Sequence, residues 1–285
     1  MTRRALLRPL ATRLVMAGGL LALWPVVSEA ILVSPHAVFI DARSRTAQVF
    51  LINTGTMAEE CDIELKFGYP DTDSAGQIFV RLFDSTTAEQ PSAAGWVRAF
   101  PRRVVVQPGE RQVVRLLAQP PAGLPPGEYW SRLIVTARGA QVGVAGADST
   151  VRAGINLIVS TIISVTYRSG PVQTGVTLGD FTAGVEGDSL AVRFGLERQG
   201  NAAWLGTGWV RLKDIAGRTV AQWDTPMAVY YAVNRRMTFP LDSVAPGQYT
   251  VEFEVNTDRS DIPDNVVLPA APIRRTSPVI EVRSR

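Results

Sequence analysis

Few residues in this 285-residue chain have the types and spacing that chemistry needs. His36 is its only histidine and Cys61 its only cysteine. Ser–His or Cys–His nucleophilic catalysis would therefore have to use that single imidazole. Cys61 sits in Glu60-Cys61-Asp62-Ile63-Glu64-Leu65. That strand-like stretch makes it a small buried residue rather than a nucleophile, and alone it closes no internal disulfide. No Cys or His cluster has metal-ligand spacing. Neither a Walker loop nor a Gly-x-Gly-x-x-Gly after a strand occurs. Asp258, Asp261 and Asp264 stand three apart and have the oxygen chemistry of a calcium loop, although a solvated acidic loop explains them as well. Trp204, Trp209 and Trp223 would make a carbohydrate platform only if their rings were coplanar and exposed, and tryptophans at alternating positions normally belong to a core. The chain reads as a non-enzyme with no cofactor and no metal.

The elements that must position these residues are strands. Short alternating runs bounded by Gly, Pro, Asn and Asp fill the sequence, and no stretch carries a helical period. In the first half they include 37–40, 46–53, 61–67, 104–106, 112–117, 129–137 and the long run Ile155 to Tyr167. Residues 69 to 91 are polar and predict a long hairpin or surface excursion. Arg168-Ser169-Gly170-Pro171 suits a short elbow. Runs at 190–196, 207–213, 219–224, 236–241 and 248–255 then repeat the theme, and 273–285 offers a last strand. The expected fold is all-β: two immunoglobulin-like β-sandwich domains in tandem, at 31–168 and 172–285.

Residues 1–30 have a different character. Arg3, Arg4, Arg8 and Arg13 precede an apolar run from Leu14 to Val27, and Ser28-Glu29-Ala30 follows with small residues. This is the pattern of a cleaved secretory leader. Taking its four arginines and one glutamate from 29 basic and 26 acidic residues leaves 25 of each. The excess positive charge thus belongs to the leader, and a nucleic-acid partner is not expected.

Four patterns together resemble the PapD-like periplasmic pilus-assembly chaperones. They are Ser34-Pro35-His36-Ala37-Val38-Phe39, the Pro-Gly turn and strand from Val104 to Leu116, Leu124-Pro125-Pro126-Gly127-Glu128-Tyr129-Trp130, and the run from Ile155 to Tyr167-Arg168. The resemblance implies a periplasmic chaperone that binds pilin-like subunits by donor-strand complementation, with an outer-membrane usher as a further partner and self-association through the donor strand as an option. It places the subunit-binding face on Ile155, Leu157 and Val159, extended by Thr161 or Ile163. Ile158 and Ile162 make the same strand apolar on its other side. The family's basic pair for a carboxylate falls here on His36 and Ser164, neither a permanent cation, so either backbone amides, Arg43 or Arg132 take over that role or the anchor does not exist in this chain. Glu128 and Arg168 match an interdomain ion-pair network, which Asp258 or Asp261 would complete, and Arg115 matches an arginine on the neighbouring strand. The rival reading is a structural or adhesive surface protein, in which Ile155, Leu157 and Val159 serve only their own domain.

Overall fold

The computed structural model describes residues 31–139 and 158–283. Residues 1–30, where a secretory leader is expected, and Ile155 and Leu157 lie outside the described residues. The first half contains β1 (Ile31–Ser34), β2 (Ala37–Asp41), β3 (Thr46–Asn53), β4 (Glu59–Thr72), β5 (Ile78–Phe83), β6 (Val97–Phe100), β7 (Arg103–Val106), β8 (Arg111–Ala118), β9 (Gly127–Gly139) and β10 (Ile158–Ser169). The second contains β11 (Thr174–Glu186), β12 (Ser189–Gly200), β13 (Trp204–Asp214), β14 (Thr219–Val229), β15 (Ala232–Pro240), β16 (Gly247–Asn256), β17 (Ile273–Thr276) and β18 (Ile280–Val282). A single turn of 3-10 helix, Asp264–Val266, is the only helical element among the described residues.

Period-two alternation dictates how these strands stack. In β3 the buried residues are Val49, Leu51 and Asn53, and in β8 they are Val114, Leu116 and Ala118. One sheet runs β1-β3-β8-β6; the facing sheet runs β2-β10-β9-β4-β5, with β7 also on β4. Their inner faces share one core, to which Cys61 belongs. Burial, with acidic neighbours adding to it, pushes the Cys61 thiol up to about 11, so the group is a packing residue.

The second half repeats the plan with sheets β11-β12-β15 and β14-β13-β16-β17, β18 also pairing with β16. Trp204 is buried in that core, and Trp223 stacks on Phe239 with ring centroids 4.8 Å apart. Trp209 lies under the Arg211 guanidinium. The three rings do not form a common exposed platform, and the carbohydrate-binding reading fails with it.

The expected excursion after Tyr69 is the β4–β5 hairpin, and its tip reaches the second half. Arg236 N donates to Gly76 O at 3.0 Å and Asn234 N to Thr72 Oγ1 at 3.0 Å. The tip therefore covers the edge of β15 that β12 leaves unpaired. Gly76 has φ +77°, and a Cβ there would stand 2.5 Å from Arg236 N, so only glycine fits. Behind the hairpin, Phe67, Trp130, Ala203 and Tyr230 form a third buried cluster joining the halves. Trp130 meets Tyr230 edge-on at 4.7 Å, and Tyr69 meets Tyr231 at 4.8 Å.

Candidate functional site

β10 is paired on both sides for only part of its length. All of it, from Ile158 opposite Arg138 to Ser169 opposite Gly127, pairs antiparallel with β9. β2 joins the other side in parallel only from Ser164 opposite Ala37 to Arg168 opposite Asp41. Among the described residues, Ile158–Ile163 thus have a ladder on one side and a free backbone edge on the other. Unpaired N–H and C=O groups in an extended row are a template for another strand.

The side chains along this edge divide by face. Ile163, Val165 and Tyr167 belong to the domain's own core, and Ile163 is only 2% exposed. Burying such a side chain stabilises by about 1.5–3 kcal/mol, so turning the strand over to present it would cost several kcal/mol. This corrects the expectation that Ile163 extends the subunit-binding face. Val159 and Thr161 share its face and are half-buried. The opposite face carries Ile158 at 58% and Ile162 at 38% exposure, with Ser160 between them bonded to Thr136. The apolar groups presented outward therefore have the parity of Ile158 and Ile162. Their sequence signal was an apolar residue where alternation calls for a polar one.

The inner end of the free edge is where the strands bring His36 and Ser164 together. Ser164 N donates to His36 O at 3.2 Å. Directly across β9, Arg132 is the register partner of Ser164, so the two side chains share a face. Arg132 is 6% exposed; its Nε donates to Gly68 O at 3.1 Å and its guanidinium lies over Tyr230. Its Nη2 has no protein partner, which is costly for a buried charged donor. Of the two arginines expected to substitute for the basic pair, Arg132 stands at this position. Arg43 does not: it lies in the exposed turn after β2, beyond the far end of the β2–β10 ladder. His36 is exposed and sits near Asp261 across the elbow. The Arg259 guanidinium holds the Asp261 carboxyl below its ordinary range, and His36 adds a smaller contribution.

The elbow network assembles around Glu128. Register places Arg168 opposite it, and Arg168 Nε donates to Glu128 Oε1 at 2.8 Å. Glu128 Oε2 accepts from Ala203 N at 2.9 Å and from Trp130 Nε1 at 3.2 Å, and Glu128 N donates to Asn201 O. The second half supplies a backbone amide where an aspartate was expected. Asp261 is engaged by Arg259, and the Asp258 carbonyl accepts from Thr207. Arg115 takes no part either; it projects from the outer face of the other sheet, exposed and, among the described residues, without an ion pair.

Sheet order, register and the two facing cores define the class: two immunoglobulin-like β-sandwich domains in tandem. No family model and no curated protein matches the chain. Solved structures do. The chain is similar to the E. coli chaperone DraB at 13% identity and a TM-score of 0.41, over 90% of this chain and 97% of that one. It is similar to the YadV chaperone at 14% and 0.44, over 86% and 99%. A third match is a chaperone–tip adhesion subunit pre-assembly complex, CsuC–CsuE, of Acinetobacter baumannii, at 14% and 0.42 over 86% and 97%.

Proposed function

We propose that this protein is a chaperone of secreted, pilin-like subunits that works by adding a strand at the free edge of β10. The observation that carries the reading is that Ile158–Ile163 are laddered on one side only and present Ile158 and Ile162 outward. A subunit lacking a strand would gain backbone hydrogen bonds along that edge and apolar contacts two residues apart. Its chain terminus would lie at the inner end, near His36, Ser164 and the register partner of Ser164, Arg132, whose buried Nη2 lacks a hydrogen-bond partner and would be the cation for a carboxylate. The 1–30 leader pattern supports action in the periplasm, with an outer-membrane usher as the next partner. No catalytic role is assigned.

The burial of Ile163 favours a second reading, a structural module whose β10 serves only its own core. Co-purification separates the two. Tagged protein is isolated from its native periplasm beside an Ile158→Glu/Ile162→Glu variant, which leaves the core face intact. A small secreted β-rich protein that accompanies the first and is lost from the second supports strand addition. A partner that both retain, or none at all, assigns the protein to the second reading.

A further inference from the structure

The outer face of the β1-β3-β8-β6 sheet serves neither core nor elbow, and its composition is one-sided. The four strands read Ile-Leu-Val-Ser, Thr-Ala-Gln-Val-Phe-Leu-Ile-Asn, Arg-Gln-Val-Val-Arg-Leu-Leu-Ala and Val-Arg-Ala-Phe, without a single carboxylate. Register aligns the outward residues in rows: Leu32–Ile52–Arg111, Phe50–Val113, Gln48–Arg115–Phe100 and Thr46–Leu117–Arg98. Leu32, Leu117 and Phe100 are exposed, Phe100 by 55%. Arg43 and Arg45, in the turn leading into β3, extend the positive charge at one end. Among the described residues none of Arg43, Arg45, Arg98, Arg111 and Arg115 makes a salt bridge; Arg111 lies over the Phe50 ring at 3.7 Å. The nearest carboxylates are engaged elsewhere. Asp41 accepts from Arg43 N, Ser44 N and Ser44 Oγ, and Glu110 accepts from Gln107 N.

We propose that this face docks on an anionic lipid surface. Charge complementarity calls for a negative partner: among the described residues Arg45, Arg98, Arg111 and Arg115 meet no facing acid, and Arg43 has only Asp41, two residues before it in the same turn. The distribution of the groups chooses lipid over protein. Protein interfaces gather apolar residues in a centre and charges at a rim. Here three of the four rows hold a cation beside an apolar group, with Arg111, Arg115 and Arg98 spread across the face rather than gathered at its rim, which matches the boundary between headgroups and acyl chains, where both are accommodated. The guanidinia would pair with headgroup phosphates, while Leu32, Phe100 and Leu117 enter the acyl boundary.

Flotation with vesicles tests this on the full mature chain. The probes are phosphatidylethanolamine vesicles containing a quarter phosphatidylglycerol and vesicles of phosphatidylcholine alone. Binding is expected to the anionic vesicles only and to weaken with salt. Arg98→Gln/Arg115→Gln should weaken it roughly tenfold or more, and Phe100→Ser should weaken it independently of salt. Arg218→Gln, in an exposed hairpin of the second domain, should change little, and thermal unfolding checks that each variant is folded. Equal binding to both vesicle types, wild-type affinity in the double variant, or an equal loss in Arg218→Gln overturns the assignment. So does saturable binding of polyglutamate at this face with no vesicle binding, which would mark a site for an acidic protein.

Discussion

Glu128 is a buried carboxylate with every contact made: the Arg168 guanidinium, the Trp130 indole N–H and the Ala203 amide across the elbow. Removing it strands a partly buried cation and two donors at once. Glu128→Ala is therefore expected to lower unfolding free energy by about 3–5 kcal/mol, against little change for removing an exposed surface pair. Urea unfolding measures it, and a loss below about 1 kcal/mol would mean the pair is structural decoration. The Glu128–Arg168 pair was expected only because the resemblance matched both residues to an ion-pair network; the register that places them opposite each other at the ends of adjacent strands is seen in the structure. Its third partner was not legible in the sequence, since a backbone amide carries no residue signature; any residue at position 203 except proline donates the same N–H. Ile163 misled for a related reason. Alternation shows which side chains share a face, but not which face is inward, and that depends on the opposing sheet.

At the scale of elements, the β4–β5 hairpin and the β10 edge are the two ends of one sheet put to different uses. The hairpin was expected as an excursion, and its docking on β15 had no local signal, because a strand edge accepts any backbone of the right geometry. Gly76 makes the contact possible. Gly76→Ala meets both the left-handed backbone penalty, about 1–2 kcal/mol, and a collision with Arg236 N. The tip should lift from β15 while both cores stay folded. Hydrogen exchange reads this directly: the Arg236 and Asn234 amides, bonded to Gly76 O and Thr72 Oγ1, should lose protection selectively. Unchanged protection at both amides would show that the tip is held by the aromatic cluster behind it instead. The free edge of β10 was legible only in part. Its length follows from where β2 stops, at Ala37, and a sequence of alternating residues does not mark that point.

Taken as a whole molecule, the protein is tied together by carboxylates that favour their charged form in the folded state. Arg138 holds the Asp62 carboxyl below its ordinary range, Arg236 that of Glu186, Lys213 that of Glu252 and Arg259 that of Asp261. Each binds a proton more readily unfolded than folded, so stability rises with pH across that interval. Their contribution is fully present above the unfolded value, about 4, and disappears as pH falls through the lower folded values. Glu59 acts in the opposite sense, its carboxyl raised by burial, and one such group is outnumbered. The melting temperature should stay nearly level from about pH 7 to about pH 5.5 and fall steeply below about pH 4. Glu252 and its two cations, Arg211 and Lys213, lie on the second domain's β13 and β16, whereas Asp62 pairs within the first. Glu252→Gln should therefore shallow the acid transition of the second domain alone, read by the fluorescence of Trp209, whose ring lies under the Arg211 guanidinium. An acid transition unchanged in midpoint and steepness would mean that the Glu252 ion pairs do not set the acid limit of the second domain.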